Sequence, residues 1–472
     1  MGPSMRTITI ALFVAASAGC AVGPNYEEPA PPKVEKFDQA TQTGVSTDAI
    51  SVTWWKEFGD ARLDDLVQKA IAGNRGVKAA AAAVREARAL FAESEFDLLP
   101  DLEAGGSYTR RKMSSASAPG LPSDARKTSY WSAGFDASWE IDVFGRIRRT
   151  IEAASAEADA AEAFRRDVTV TLLADVARQY FELRGSLHEV EVAKKNADIQ
   201  REALRVTTAR FDAGRGTELD VARARAELNA TLALIPPLEA AAARSKNRLA
   251  VLLGVPPSGF RVDLPAPSPL DKLPAMVAVG KPEDLLRRRP DIREAERHLA
   301  AATARIGVAT ADLFPRISIT GSFGADAKSI PGLVRSGASR YAFGPNISWE
   351  ALNLGSVAAR IRAAGARADA DLARYEETVL VALEETENAL VTFGRARARR
   401  DALVEGVRAS ERAAALAEAR YQGGADDYLS TLLAQRTVLS LQLQLAESQT
   451  TTVTALIALY KALGGGWESF EE

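Results

Sequence analysis

Between Trp131 and Ile141 apolar and polar positions alternate without a slip. Trp131, Ala133, Phe135, Ala137, Trp139 and Ile141 fall on one side, and Ser132, Gly134, Asp136, Ser138 and Glu140 on the other. A period of two predicts a strand with one apolar and one polar face. From Ile147 onward the period becomes that of a long helix. The same switch returns at Tyr341-Ala342-Phe343-Gly344-Pro345-Asn346-Ile347-Ser348-Trp349-Glu350, followed by Gly355. Trp139-Glu140 and Trp349-Glu350 stand 210 residues apart, as do Gly145 and Gly355. The chain is therefore a duplicated strand-to-long-helix unit, in which the two glycines let each strand bend into its helix.

The rest of the chain fills in around that repeat. Residues 20–58 are rich in Pro, Thr, Gly and Ser and read as an extended arm, with Trp54-Trp55-Lys56-Glu57-Phe58 starting the packed part. The first repeat spans 59–254. It opens with one helix over 60–97, carried by Leu63, Leu66, Val67, Ala70, Val77, Ala80 and Val84 and ended by Pro100. Leu102, Ala104, Gly106 and Tyr108 then alternate with Glu103, Gly105, Ser107 and Thr109, so a second strand pairs with the first across a solvated loop at 111–129. From Gly145 to about Phe211 there is no proline, and ~65 helical residues span roughly 100 Å. Ile147, Ile151, Ala154, Ala158, Ala161, Val168 and Leu172 keep the spacing of a coiled-coil seam. Ala213-Gly214-Arg215-Gly216 reverses the chain, and the return helix to Leu253-Gly254 contains Pro236-Pro237, which predicts a kink or a split. Residues 255–281 form a proline-rich linker. The second repeat, 282–463, restarts with a helix over 283–312, a strand of Ile317, Ile319, Phe323 and Ala325, a loop at 326–340, a long helix over 355–421, a reversal at Gln422-Gly423-Gly424-Ala425 and a return helix; 464–472 is a tail.

Composition narrows the function. A formal net charge of −3 leaves no basic surface for nucleic acid. One Cys rules out an intrachain disulfide, and the only two His, His188 and His298, are read as lacking acidic or Cys neighbours at ligand spacing. Glu384, Glu385 and Glu387 read as a solvated helix face, Arg287-Arg288-Arg289 as packing and surface charge, and no glycine-rich phosphate loop follows a strand. An enzyme is not expected. At the N-terminus, Arg6, the apolar run Ile8 to Ala16 and the small residues Ser17-Ala18-Gly19 form a secretory signal over 1–19. Cys20 follows at once and is expected to carry lipid, with Ala21 after it. No later run reaches 18 apolar residues, so no transmembrane helix is expected.

Four strands with aromatic apolar faces and no evident cover suit an outer membrane, where one face meets lipid and the other lines water. Trp139 and Trp349 sit where an interfacial girdle belongs, with Trp131, Tyr108 and Tyr341 as further interface aromatics. A small barrel needs about eight strands, and open edges are not tolerated in lipid, so the chain must oligomerise.

At this point the sequence resembles the TolC-like outer-membrane efflux channels, in the OprM/NodT-type lipoprotein branch. The resemblance rests on Cys20-Ala21-Val22-Gly23-Pro24-Asn25-Tyr26 with Pro29, Arg289-Pro290-Asp291-Ile292-Arg293, Ile306-Gly307-Val308-Ala309, Phe314-Pro315-Arg316-Ile317, and Asp427-Tyr428-Leu429 with Ala434-Gln435-Arg436. It implies a mixed α and β fold assembled as a homotrimer. Four strands from each chain would give a twelve-stranded barrel, and the long antiparallel helices a periplasmic coiled-coil barrel. It implies a periplasmic adaptor and an inner-membrane pump, of the resistance-nodulation-division class, as partners, outer-membrane lipid around the barrel, drugs or other small toxic molecules as cargo, and no cofactor beyond the lipid on Cys20. An exit duct for type I protein secretion is the alternative, followed by a lipid-anchored coiled-coil scaffold. The two reversals would form the periplasmic mouth. Where the family carries acidic residues on the last helix, the matching positions here are Ser430 and Leu433. Leu429 and Leu433 share a helix face and read either as a hydrophobic constriction or as coiled-coil core. Asp220, Asp426 and Asp427 are charged candidates at the mouth, or helix caps beside a glycine turn.

Overall fold

The computed structural model describes residues 21–30, 32, 34, 36–38, 44–270, 273–274 and 276–470. Cys20 and the signal over 1–19 lie outside the described residues. The elements run β1 (Val45–Ser46), a 3-10 turn over Trp54–Phe58, α1 (Ala61–Gly73), α2 (Arg75–Phe96), β2 (Asp101–Lys112), β3 (Lys127–Ile141), α3 (Arg146–Asp212), α4 (Glu218–Leu252), β4 (Val277–Ala278), α5 (Pro282–Arg288), α6 (Pro290–Ala311), β5 (Arg316–Ala327), β6 (Ser339–Ser348), α7 (Leu354–Gln422) and α8 (Tyr428–Ala462). The duplication is quantitative: β2 and β5 are 12 residues each, α3 and α7 are 67 and 69, and α4 and α8 are 35 each.

Two compact units cut across the repeats. One comprises the described residues up to Pro29 with Ala83–Ala161 and Glu294–Tyr375; the other comprises Ala30–Ala82, Glu162–Arg293 and the chain from Glu376 onward. The first unit holds a four-stranded antiparallel sheet in the order β2-β3-β5-β6. Its register sets Leu102 opposite Ala137, Ala104 opposite Phe135 and Tyr108 opposite Trp131. It continues with Phe135 opposite Phe323 and Trp139 opposite Ile319, then Phe323 opposite Tyr341 and Ile317 opposite Ile347. Because side chains alternate, this register gathers the large apolar residues of the four strands on one face, Tyr130 excepted. On the other face Gly105, Gly134 and Gly324 form one transverse row. A Cβ on Gly134 would lie 2.7 Å from the carbonyl oxygen of Phe323, so only glycine lets the two central strands approach there.

The second unit is built on an aromatic core. Trp54 stacks on Tyr460 at 5.1 Å and meets Trp55 edge-on at 5.8 Å, while Phe58 packs on Phe181 at 4.9 Å. Tyr460 donates its hydroxyl to Glu57. Tyr180 and Arg184 both donate to Asp60 at 2.7 Å. The 3-10 turn thus joins residues from both repeats. β1 pairs in parallel with β4, and Leu270, Val277 and Val279 are buried in the same core, so part of the proline-rich stretch is integrated into this unit.

Several expectations need correcting. The helices expected over 60–97 and 283–312 are each two helices. Asn74 leaves the helical region at φ −59°, ψ 133°, and Arg289 does so at φ −68°, ψ 122°. The Asn74 side-chain amide donates to the Leu252 carbonyl at 2.8 Å, and its Oδ1 accepts from Val77 N–H. Arg289 is buried, donates to Asp291, to Glu385 and to the Ala462 carbonyl, and is followed by Pro290, which disfavours a helical residue before it. Glu385 and Glu387 are therefore not merely solvated, since Glu387 accepts from the Asp38 N–H at 2.7 Å. Pro236 and Pro237 do not split α4, which runs through both. They lie on an exposed stretch, so the carbonyls they leave without a helical donor can turn to water. In the first turns of α3, up to Ala163, the buried alanines are Ala153, Ala156, Ala158, Ala160 and Ala163, whereas the seam residues Ala154 and Ala161 are only half-buried. The helix buries a second stripe besides the predicted one.

The two junction glycines also differ. Gly145 has φ +82°, and Asp142 accepts from the N–H groups of Ile147 and Arg148 just beyond it. Gly355 lies inside α7 without a positive φ, and the Ser356 and Val357 N–H groups bond to the Asn353 carbonyl. Only the first junction needs glycine to turn. Gly145→Ala should therefore destabilise the fold by ~1–3 kcal/mol, because its Cβ would also lie 2.6 Å from the Ala21 Cα. Gly355→Ala, with nothing near its Cβ, should be neutral or stabilising by up to about 1 kcal/mol. Denaturant midpoints of the helical circular dichroism signal distinguish the pair.

Candidate channel wall and mouth

The apolar face of the sheet is uncovered in the single chain. Phe135 is 63 % exposed, Phe323 64 %, Phe343 80 % and Tyr341 84 %. Removing a side chain of this size from water is worth ~1.5–3 kcal/mol, and contiguous exposed patches of this kind mark a binding or membrane surface. Tyr108 packs on Trp131 with ring centres 4.6 Å apart, at the hairpin end of β2 and β3. Trp139 lies at the other end. Eight residues separate Trp131 from Trp139, ~26 Å along the strand, and somewhat less once tilted. The apolar band of an outer-membrane barrel is ~25 Å tall. Trp139 donates its indole N–H to the Leu98 carbonyl at 2.9 Å, and Trp349 donates to the Leu313 carbonyl at 3.1 Å. Both tryptophans thus tie a strand end to the turn that precedes the neighbouring strand. Each following glutamate pairs with an arginine of the next helix, Glu140 with Arg146 at 2.8 Å and Glu350 with Arg360 at 2.7 Å.

The polar face is concave. A cavity of about 580 Å³ lies against it, lined by Asp101, Glu103, Asp136, Ser138, Thr320 and Ser322 among others. Further along, Arg340 bonds Asp326 at 3.1 Å and Ser132 at 3.2 Å. Such a surface can line water. Among the described residues no group of His, Cys, Asp and Glu can hold a metal, and no helix is long and apolar enough to cross a membrane.

The reversals are stiffened locally. Thr217 caps α4 and forms a capping box with Asp220. At α8 the roles are exchanged: Asp427 is the cap and accepts from the Ser430 N–H at 3.1 Å. Asp426 pairs with Arg420 at 3.3 Å and accepts from the Ser430 hydroxyl at 3.1 Å. Arg210 lies over the Tyr421 ring at 4.4 Å, and Tyr421 meets Tyr428 at 5.5 Å. Asp220 and Asp427 are thus committed to caps and Asp426 to an ion pair. Leu429 is half-buried, and Leu433 is 53 % exposed, so Leu433 is not core within its own chain.

One feature of the site was quoted in the sequence only as a motif. The described arm, from Ala21, docks on the first junction. Val22 N–H donates to the Phe144 carbonyl at 3.1 Å. The buried Arg149 donates to the Val22 carbonyl at 3.2 Å and to Asn25 Oδ1 at 2.7 Å. A Cβ on Gly23 would lie 2.5 Å from the Gly307 Cα, so backbone meets backbone there. Tyr26 donates to Glu296, and burial with that carboxylate pushes its phenol well above the usual range. Arg297 lies over the Tyr26 ring at 5.3 Å. Nothing in the sequence pattern marks Arg149 as the centre of this contact.

Beside this contact His298, read from the sequence only as lacking neighbours at ligand spacing, sits 3.1 Å from Glu157 and 3.8 Å from Glu294. Its hydrogen bond to Glu157, then that to Glu294, raises it to about 9. A raised histidine contributes stability that is complete below its unfolded value, about 6.5, and is lost as pH climbs through the folded value. The side chain is 45 % exposed, which limits the effect to ~0.5–1 kcal/mol. The gap in thermal midpoint between the wild type and His298→Gln should be widest at about pH 6 and should close by about pH 10.

Comparison with known proteins gives this geometry its family. The outer membrane efflux protein family matches residues 66–255 and 282–465. The solvent efflux pump outer membrane protein SrpC of Pseudomonas putida is 35 % identical over 462 residues, covering 95 % of this chain and 96 % of that protein. Nodulation protein T of Rhizobium leguminosarum bv. trifolii is 33 % identical, covering 97 % of each. The solved structure of the outer-membrane channel OprN superposes with a TM-score of 0.87 at 40 % identity, covering 95 % of this chain and all of that one. The chain belongs to the outer membrane efflux protein family of TolC-like channels.

Proposed function

We propose that three copies of this chain assemble into one outer-membrane exit duct, anchored by lipid on Cys20, that passively conducts small toxic molecules delivered by an inner-membrane pump of the resistance-nodulation-division class through a periplasmic adaptor. Membership of the family supplies the coarser statement: this is the outer-membrane channel component of an efflux system, working with an adaptor and an inner-membrane pump. The observation that carries the finer reading is the sheet itself. Its apolar face is bare and its two outer strands, β2 and β6, each have one unpaired edge. Lipid tolerates no open edge, and further copies of the same sheet satisfy both edges by pairing β6 of one with β2 of the next. The docked arm supports the lipid anchor. Ala21, directly after Cys20, lies against Gly145 at the helix end of β3, where a membrane surface is expected. The helices then extend into the periplasm, and the reversals form the mouth. There Leu429 and Leu433 form a hydrophobic collar that excludes water when closed; the exposure of Leu433 in its own chain favours this over coiled-coil core. Energy comes from the pump. SrpC is named for solvent efflux, which fits a cargo of small apolar molecules. Nothing in the site favours a protein-secretion duct or a scaffold.

In outer-membrane fractions the chain should run as a heat-stable trimer and conduct in planar bilayers; a monomer released by mild salt would contradict the reading. Replacing Trp139 and Trp349 together by Asp should abolish stable insertion while leaving helix content intact, as measured by membrane flotation and circular dichroism. Leu429→Ser with Leu433→Ser should raise single-channel open time several-fold, because a polar collar no longer gates by dewetting.

A further inference from the structure

Beyond the Tyr108–Trp131 aromatic pair, the bare face of the sheet changes character. Side chains two residues apart share a face, so Arg110 and Lys112 continue the face of Tyr108, and Lys127 continues that of Trp131. Lys112 and Lys127 are directly paired in the register, and like charges directly opposite each other are unfavourable. All three side chains are exposed. Lys127 pairs with the exposed Asp124 at 3.1 Å; Arg110 and Lys112 have no acidic partner among the described residues. Over residues 110–127 there are five basic residues and a single acid, Asp124. Half-buried Arg126 also leaves its Nε without a partner.

The second hairpin adds an apolar feature on the same side. The loop after β5 brings Leu333 and Val334 to a groove of about 720 Å³ that is walled by Ala133, Phe135, Phe323 and Ala325. Arg335 also lines it. The groove is floored by the central strands β3 and β5, with Ala104 of β2 and Ser339 of β6 at its margins.

From these two observations we infer that the hairpin end of the sheet binds the phosphate-bearing headgroup of an outer-leaflet lipid. Arg110, Lys112 and Lys127 meet the phosphates, and the groove under Leu333 and Val334 takes an acyl chain. Cations set just past an aromatic belt stand at headgroup level. A like-charge pair that costs stability in the bare chain is relieved when an anion bridges it. The inference rests on the proposed membrane placement of the sheet, with the docked arm at the opposite end.

The test uses the full-length lipidated protein in phosphatidylcholine nanodiscs and titrates bis-phosphorylated lipid A, with its dephosphorylated form as control, read by native mass spectrometry. The wild type should hold the phosphorylated form at least tenfold more tightly, less so at high salt. The triple variant Arg110→Gln, Lys112→Gln, Lys127→Gln should insert and conduct normally but lose that preference. Equal retention of both forms by the wild type, or a preference undiminished in the variant, overturns the inference. Failure of the wild type to insert at all would instead sink the proposed channel.

Discussion

Everything in this structure depends on one constraint of parity. In four antiparallel strands the register places Phe135, Phe323, Tyr341, Trp139 and Ile319 on a single face. A slip of one residue in any strand would move its whole apolar set to the polar side. The chain itself leaves that face bare. A face of this kind is stable only against an apolar medium, and its unpaired edges are stable there only if the sheet closes. Membrane insertion and the proposed assembly would therefore answer one and the same problem. The facing pair Gly134 and Gly324 bears on the same problem from the polar side, since it removes side chains where the two central strands come closest.

The second organising feature is the reuse of joints. Both strand-end tryptophans bond the carbonyl of a leucine before the adjacent strand, and both following glutamates pair with an arginine of the next long helix. Both return helices end at a glycine with positive φ, Gly254 and Gly464, packed against the helix break of the same repeat, at Gly73-Asn74 and at Arg289. The copies have nevertheless diverged where one partner is unique. Gly145 holds a positive φ against the docked arm, whereas Gly355 faces open space within a helix. The caps at the two reversals have exchanged chemistry, Thr217 with Asp220 in one repeat and Asp427 with Ser430 in the other.

Periodicity made the strands, the long helices and the reversals legible in the sequence, because each is set by a local pattern tens of residues long. The break at Asn74 was hidden because a tertiary partner, the Leu252 carbonyl, holds it, whereas Pro290 marked the break at Arg289 locally and the Glu385 and Ala462 acceptors fix it. Continuity through Pro236-Pro237 depends on exposure, which a local pattern does not report. The docking of residues 21–26 depends on Arg149 and Gly307, far apart in sequence and unmarked by charge or spacing. At the reversals, local chemistry suggested caps, which Asp220 and Asp427 make while Asp426 pairs with Arg420, and the exposure of Leu433 needed the fold.

The most direct measurement is spin labelling of β5 at Ser322 and Phe323, one residue apart, in the assembled protein in lipid bilayers. The account predicts that the label at position 323 is accessible to oxygen and shielded from a water-soluble nickel complex, and that the label at position 322 shows the reverse. Equal accessibility of both positions to the nickel complex, or the opposite alternation, would contradict it.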